Sequence, residues 1–280
     1  MVSSVEGFYD YINERHAIYL KRFIGEPFPW TDDEILQTYS FCNVYRELDK
    51  VTVWIRENWK EPYADHPNLP FAMAVARQIN WPDTLQEIGF PEHWNPERVK
   101  AIMQGRMDRK EKVYTGAYML TGTLGGTKVE QTIDKILTPL YESPPEILPH
   151  SLEETWKKYL PYPGFSGFMA YEVVTDLRHS KYLEEADDIM TWANAGPGAK
   201  RGLNRIHGRP LEQTIKPLQL TIEMQELLDM AGDYIGNFLP DLEMREIEHC
   251  LCEYDKYERV RLGEGRPRAK FKYTGETKWL

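Results

Sequence analysis

Asp187–Ile206 reads DDIMTWANAGPGAKRGLNRI, and its centre, Gly196-Pro197-Gly198, decides what kind of helical protein this chain forms. Two glycines and a proline in three positions stop a helix. Ala199-Lys200-Arg201-Gly202 then restarts one at once. The spacing predicts a helix through Ile189 and Trp192 that ends at Ala195, a tight turn, and a second helix from about Ala199. Backbone N–H groups at the start of that second helix lack intrahelical partners. Glycines let an anion approach them closely, and the helix dipole favours it.

Two readings of this turn compete. The plainer one is a helical corner with a solvated basic face. The other is a helix-hairpin-helix motif gripping a phosphate, in which Gly196, Gly198 and Ala199 bring the backbone close and Lys200, Arg201 and Arg205 add charge. Between Met190 and Leu211 there is no acid, while Lys200, Arg201, Arg205 and Arg209 are present. That segregation favours the phosphate reading.

Outward from the turn, helical signals dominate. Thr31-Asp32-Asp33-Glu34 has the form of a capping box, and Val44, Leu48, Val51 and Ile55 follow at helical spacing, predicting a helix over 31–57 with a break near Phe41. Further helices are expected after Pro70, after the Asn95-Pro96 start signal, along Thr127–Glu142 and after Ser151. Phe165, Met169, Val173 and Leu177 mark another, and Ile247, Leu251, Tyr254 and the stem of Glu258 mark the last. Strand character is confined to AKFKYTG near the end. The fold class is mainly α, as a single domain over 1–280 or as two lobes, 1–142 and 151–280, divided at the Pro-rich Ser143–His150.

Composition narrows the class. The chain has 280 residues, 41% hydrophobic, with a formal net charge of −10, which argues against unselective coating of nucleic acid. No run of eighteen apolar residues predicts a membrane span, and the first twenty residues carry early acids without an apolar core, unlike a signal peptide. A cytoplasmic location is expected. Cys42 stands apart and Cys250 and Cys252 are two apart, so no disulfide framework is implied, and the seven histidines form no zinc-binding spacing. Gly122–Lys128, GTLGGTK, departs from a phosphate loop at Thr127 and Val129.

Polar residues remain to be placed. Glu172 and Asp176 stand four apart on one predicted helix, where like charges need a positive partner: an arginine, a metal or a cationic substrate. Glu253, Asp255 and Lys256 lie beside the basic run Arg259, Arg261, Arg266, Arg268, Lys270 and Lys272. Asn43, Arg46, Glu47 and Asp49 form a polar patch on a predicted helix with an apolar back. Spacing alone makes these solvated faces and ion pairs.

PWTDDEILQTYSFCNVYRELDKVTVWI, GFMAYEVVTDLRHS, WANAGPGAKRGLNRI and CEYDKYERVRLGEGRPR together resemble the α-glutamyl/putrescinyl thymine pyrophosphorylase group. That group includes the amino acid:DNA transferases and the helical domain associated with 5-hydroxymethyluracil DNA kinases. The resembling segments run from about Phe28 to Tyr273. The resemblance implies a fold related to helix-hairpin-helix DNA glycosylases and a role in bacteriophage thymine hypermodification, inside the infected host cell. The substrate would be double-stranded DNA carrying pyrophosphorylated 5-hydroxymethyluracil, whose pyrophosphate is displaced by an amino acid or a polyamine. Gly196, Gly198, Lys200 and Arg201 would bind the DNA backbone. Glu172, Asp176, Glu253, Asp255 and Lys256, with Asn43, Arg46 and Asp49, would line the pocket. Mg²⁺ is the one cofactor this chemistry suggests, as a partner of the leaving pyrophosphate. Arg209–Glu223 lacks the Asp that glycosylases of this fold place beyond the hairpin, which disfavours base excision. Two alternatives stay open: a non-catalytic DNA-binding subunit, and a kinase or glycosylase-like protein.

Overall fold

The computed structural model describes residues 3–115 and 124–273, and helices make up almost all of their regular structure. In chain order these are α1 (Val5–Phe23), α2 (Glu34–Thr38), α3 (Lys50–Ile55), α4 (Leu69–Ile79), α5 (Pro82–Ile88), α6 (Pro96–Asp108) and α7 (Lys128–Glu130). There follow α8 (Thr138–Glu142), α9 (Leu152–Tyr159), α10 (Gly167–Arg178), α11 (Pro197–Ile206), α12 (Pro217–Tyr234) and α13 (Met244–Arg261). π-helical turns extend α3 over Arg56–Lys60 and join α7 to α8 over Gln131–Leu137. The expected strand at AKFKYTG reduces to one antiparallel bridge, Tyr39 with Lys270; Thr274 and Gly275 lie outside the described residues. Gly122 and Thr123 of the glycine-rich stretch lie outside them as well.

The chain gathers into two compact units, Met1–Lys50 with Ile189–Leu280, and Val51–Asp188. In the first, α1, α2, α11 and α12 pack on α13. α13 begins at a capping box in which Glu243 and Glu246 exchange side-chain and backbone hydrogen bonds. Its Ile247, Leu251, Tyr254 and Glu258 are all buried, as their spacing of three and four residues predicts. Phe8 and Ile12 of α1 and Met224 and Leu227 of α12 join Ile247, Leu251 and Tyr254 in one apolar core, each fully buried apolar side chain contributing about 1.5–3 kcal/mol.

α11 comes closest to α13, and its glycines make that possible. A Cβ on Gly202 would stand 2.9 Å from the Leu251 carbonyl carbon and still nearer its oxygen. One on Gly198 would stand 3.3 Å from the Cys252 Cβ and nearer still to its sulfur. Neither glycine needs a left-handed backbone, so their use here is close approach.

In the second unit α10 packs against α4 and α9. Asn95 accepts from the Arg98 N–H at the start of α6 and Ser151 accepts from the Glu154 N–H at the start of α9, as expected. The Tyr63 and Phe90 rings stack with centroids 3.9 Å apart.

One expected helix is interrupted more widely than its foreseen break near Phe41, and another does not form. Residues 31–57 break into α2, a 3₁₀ turn at Arg46–Leu48 and α3. Asp33, not Thr31, caps α2, accepting from the Ile35 and Leu36 N–H groups, while Thr31 accepts from the Asp33 N–H. The chain leaves the helix at Tyr39 because Ser40 and Thr38 pair with Ala269 and Phe271 instead. The helix expected through Ile189 and Trp192 is absent: Asp187–Thr191 is a run of turns and Trp192–Gly196 is irregular. Asp188 is engaged elsewhere, its carboxylate accepting from the Leu152 and Glu153 N–H groups and the Ser151 hydroxyl at the start of α9. Gly196-Pro197-Gly198 therefore opens a helix without closing an immediately preceding one.

Candidate functional site

The irregular stretch Tyr39–Tyr45, which widens the expected break, carries Cys42 and Asn43 onto the face of α13. Glu253 of α13 accepts from the Cys42 N–H at 2.9 Å and from the Lys256 ammonium at 2.7 Å. The Lys256 ammonium lies 4.7 Å from the centroid of the Phe41 ring. Asn43 is fixed on three sides. Its side-chain carbonyl accepts from Arg15 at 2.7 Å, its amide donates to the Leu48 carbonyl at 2.7 Å, and its N–H donates to Asp49 at 2.9 Å. Arg15 donates a further bond to the Phe41 carbonyl at 3.1 Å. Every one of these residues belongs to the first unit.

Three buried polar atoms of this neighbourhood have no hydrogen-bond partner among the described residues: the Tyr11 hydroxyl, Arg15 Nη1 and His249 Nε2. Buried polar groups are nearly always satisfied, and clustered exceptions mark places where a ligand or solvent belongs. Burial pushes the Tyr11 hydroxyl well above its ordinary pKa, reinforced by the Glu253 charge. Burial and then the Arg46 charge hold His249 below the usual imidazole range. Burial, with Glu253 and Asp49, pushes the Cys42 thiol well up. Burial also raises Glu253, but the Lys256 and His249 charges and the two hydrogen bonds outweigh it and keep the group a carboxylate. The arrangement combines a retained anion, an imidazole and the cations Arg46 and Lys256 in one sheltered place.

The structure thus brings Asn43, Arg46, Asp49, Glu253 and Lys256 into one neighbourhood. Asp255, on the same helix, faces elsewhere. It is buried and accepts from Arg201 Nε at 2.9 Å and Arg205 Nε at 2.8 Å. Arg205 also pairs with Glu264 at 2.5 Å, and Arg209 with Glu223 at 2.6 Å. The acid-free run is therefore answered by acids from other elements, and of its cations Lys200 is exposed. The Gly196 N–H donates to Glu248 at 3.2 Å, so a carboxylate already lies at the start of α11. Gly198 and Ala199 are buried.

Glu172 and Asp176 belong to the second unit, and both are buried. The positive partner expected of Asp176 is Arg77, whose Nε donates to Oδ2 at 2.6 Å and whose Nη2 donates to Oδ1, with Thr52 accepting a third bond at 3.1 Å. This is a complete two-pronged pair.

Four members of the first-unit cluster escaped the sequence as site residues: Tyr11, Arg15, Cys42 and His249. They lie far apart along the chain, and no spacing rule joins His249 to the other three.

A family described as the 5-hmdU DNA kinase helical domain matches residues 3–266, which include every residue of this cluster. The chain belongs to that family. A relative from Bacillus phage SP10, called a 5-hmdU DNA kinase, is 30% identical over 280 residues, covering 87% of this chain. This helical chain spans 43% of that relative's length. No solved structure matches it. No helix among the described residues is long and apolar enough to cross a membrane.

Proposed function

We propose that this helical chain acts on DNA bearing 5-hydroxymethyluracil in thymine hypermodification, as a transferase that replaces pyrophosphate on the hydroxymethyl carbon with an amine. The family match over residues 3–266 supports action on 5-hydroxymethyluracil DNA, and the cluster around Glu253 offers residues suited to the transfer. The modified nucleotide leaves the duplex stack to reach them. The C–O bond to pyrophosphate breaks with its electron pair on the leaving oxygen, where Arg46 and Lys256 offset the developing charge. The amine nitrogen of an amino acid or polyamine forms the new C–N bond. That nitrogen becomes cationic as it does so, so the Glu253 carboxylate is basic enough to take its proton. Asn43 holds Asp49 and the 41–49 stretch in place.

A second reading has its own observation: a chain spanning 43% of a relative called a kinase fits the part that presents DNA to a separate phosphotransfer domain. Its sequence holds no phosphate loop, which suits that role. One experiment separates the two. Duplex DNA containing 5-hydroxymethyluracil is incubated with ATP and Mg²⁺, and pyrophosphorylated DNA with glycine, glutamate or putrescine. Nucleosides are then read by mass spectrometry. The transferase reading expects an amine adduct only in the second arm. Unchanged DNA in both arms, with retained binding, supports the presenting role. Phosphorylation in the first arm would make the chain itself a kinase and overturn both.

A further inference from the structure

We propose that Cys42, Asp49 and His249 form a binding site for a zinc-class divalent cation, whatever reaction the chain performs. One ligand atom from each residue, sulfur, carboxylate oxygen and ring nitrogen, lies within 4.8 Å of the other two. A thiolate, an imidazole and a carboxylate are the donor set of zinc rather than of magnesium, which prefers oxygen alone. Three protein ligands leave a fourth tetrahedral position for a solvent molecule or an oxygen of a bound substrate.

The surroundings are those of a built site. His249 Nε2 is buried and has no hydrogen-bond partner among the described residues, which leaves a nitrogen lone pair or a proton with nothing to meet. The other two ligands are held by their neighbours. Asp49 accepts from the Asn43 N–H at 2.9 Å, and Asn43 is itself clamped by Arg15. The N–H of Cys42 is anchored on Glu253. Outer contacts of this kind orient metal ligands before the metal arrives. Metal binding would release the thiol proton to solvent, leaving a thiolate whose charge, with that of Asp49, balances the divalent ion. Cys250 is not part of the set: its sulfur lies 4.0 Å from the Val44 carbonyl within the core.

The test is titration of the full chain, stripped with chelator, with Zn²⁺ against a chromophoric competitor, and in parallel with Co²⁺. The expected result is one equivalent bound with submicromolar affinity and a thiolate-to-cobalt charge-transfer band in the near ultraviolet. Cys42→Ser should abolish the band. His249→Ala and Asp49→Asn should each weaken Zn²⁺ binding by more than the roughly 10–100-fold that loss of an outer contact costs. Cys252→Ser, altering the exposed cysteine, should change nothing. The cobalt spectrum of the unaltered protein needs no variant to fold. Absence of that band, or a band that Cys252→Ser removes, overturns the proposal, as does unchanged zinc affinity in His249→Ala.

Discussion

Asp176 and Glu253 are both buried carboxylates on long helices, one in each compact unit, yet their surroundings differ. Asp176 faces a guanidinium that fills both its oxygens, and that guanidinium finds Thr52 as well. Glu253 shares its neighbourhood with Tyr11, Arg15 and His249, each of which has a buried atom without a partner among the described residues. A buried charge whose partners are complete holds a fold together. A buried charge among incomplete partners is what a binding site looks like before its ligand arrives. Asp255, closed by two arginines, falls with Asp176 on the architectural side.

The largest expected effect tests that division at Asp176. Asp176→Asn removes the carboxylate charge from the buried, two-pronged Arg77–Asp176 pair, which should destabilise the protein by about 3–5 kcal/mol. Urea unfolding followed by circular dichroism measures it. A loss below about 1 kcal/mol would mean that the Arg77–Asp176 pair is not the second unit's internal tie.

Glu246 is an intermediate case and sharpens the comparison. Its carboxyl is buried with Arg245 3.9 Å away, and burial, only partly offset by Arg245, raises its pKa from 4.5 to about 7. A carboxyl with a raised folded pKa binds its proton more tightly when folded. Its contribution is therefore full below the unfolded pKa and is lost as the pH rises from about 4.5 to 7, by roughly 3 kcal/mol at most. Glu246→Gln keeps an oxygen for the Glu243 N–H and should flatten the stability profile over that window. A profile identical to that of the unaltered protein would contradict the assignment.

A smaller effect is expected at the α11–α13 contact. Gly202→Ala drives a methyl group into the Leu251 backbone, a cost of about 1–3 kcal/mol. Gly198→Ala should cost less, because the Cys252 side chain can turn away while the Leu251 backbone cannot. If Gly202→Ala leaves thermal unfolding unchanged but weakens DNA binding, the glycines serve a phosphate after all.

Much of the helical frame was legible in the sequence, because capping and burial at a spacing of three and four residues are local. Asn95, Ser151 and the Ile247–Glu258 stripe announce their helices correctly. A break near Phe41 was legible, but not its extent from Tyr39 to Tyr45: Ser40 pairs with Ala269, and Thr38 with Phe271, far along the chain. The same long-range event creates the cluster on α13, which is why Asn43 and Glu253 could be singled out individually while Cys42 and His249 went unnoticed. The acid-free run was an incomplete guide for a related reason. Charge along a sequence says nothing of Asp255, Glu264 or Glu223 arriving from other elements to answer it.

The division between architecture and site is tested most directly by comparing Glu253→Gln with Glu172→Gln, each checked for native unfolding, in the amine-transfer reaction on pyrophosphorylated DNA. Glutamine at 253 still accepts from the Cys42 N–H but cannot take a proton from the amine. The account predicts that Glu253→Gln loses about 100-fold or more in single-turnover rate, while Glu172→Gln stays within about threefold of the unaltered protein. Full transfer by Glu253→Gln would contradict it, and a collapse confined to Glu172→Gln would move the chemistry to the second unit.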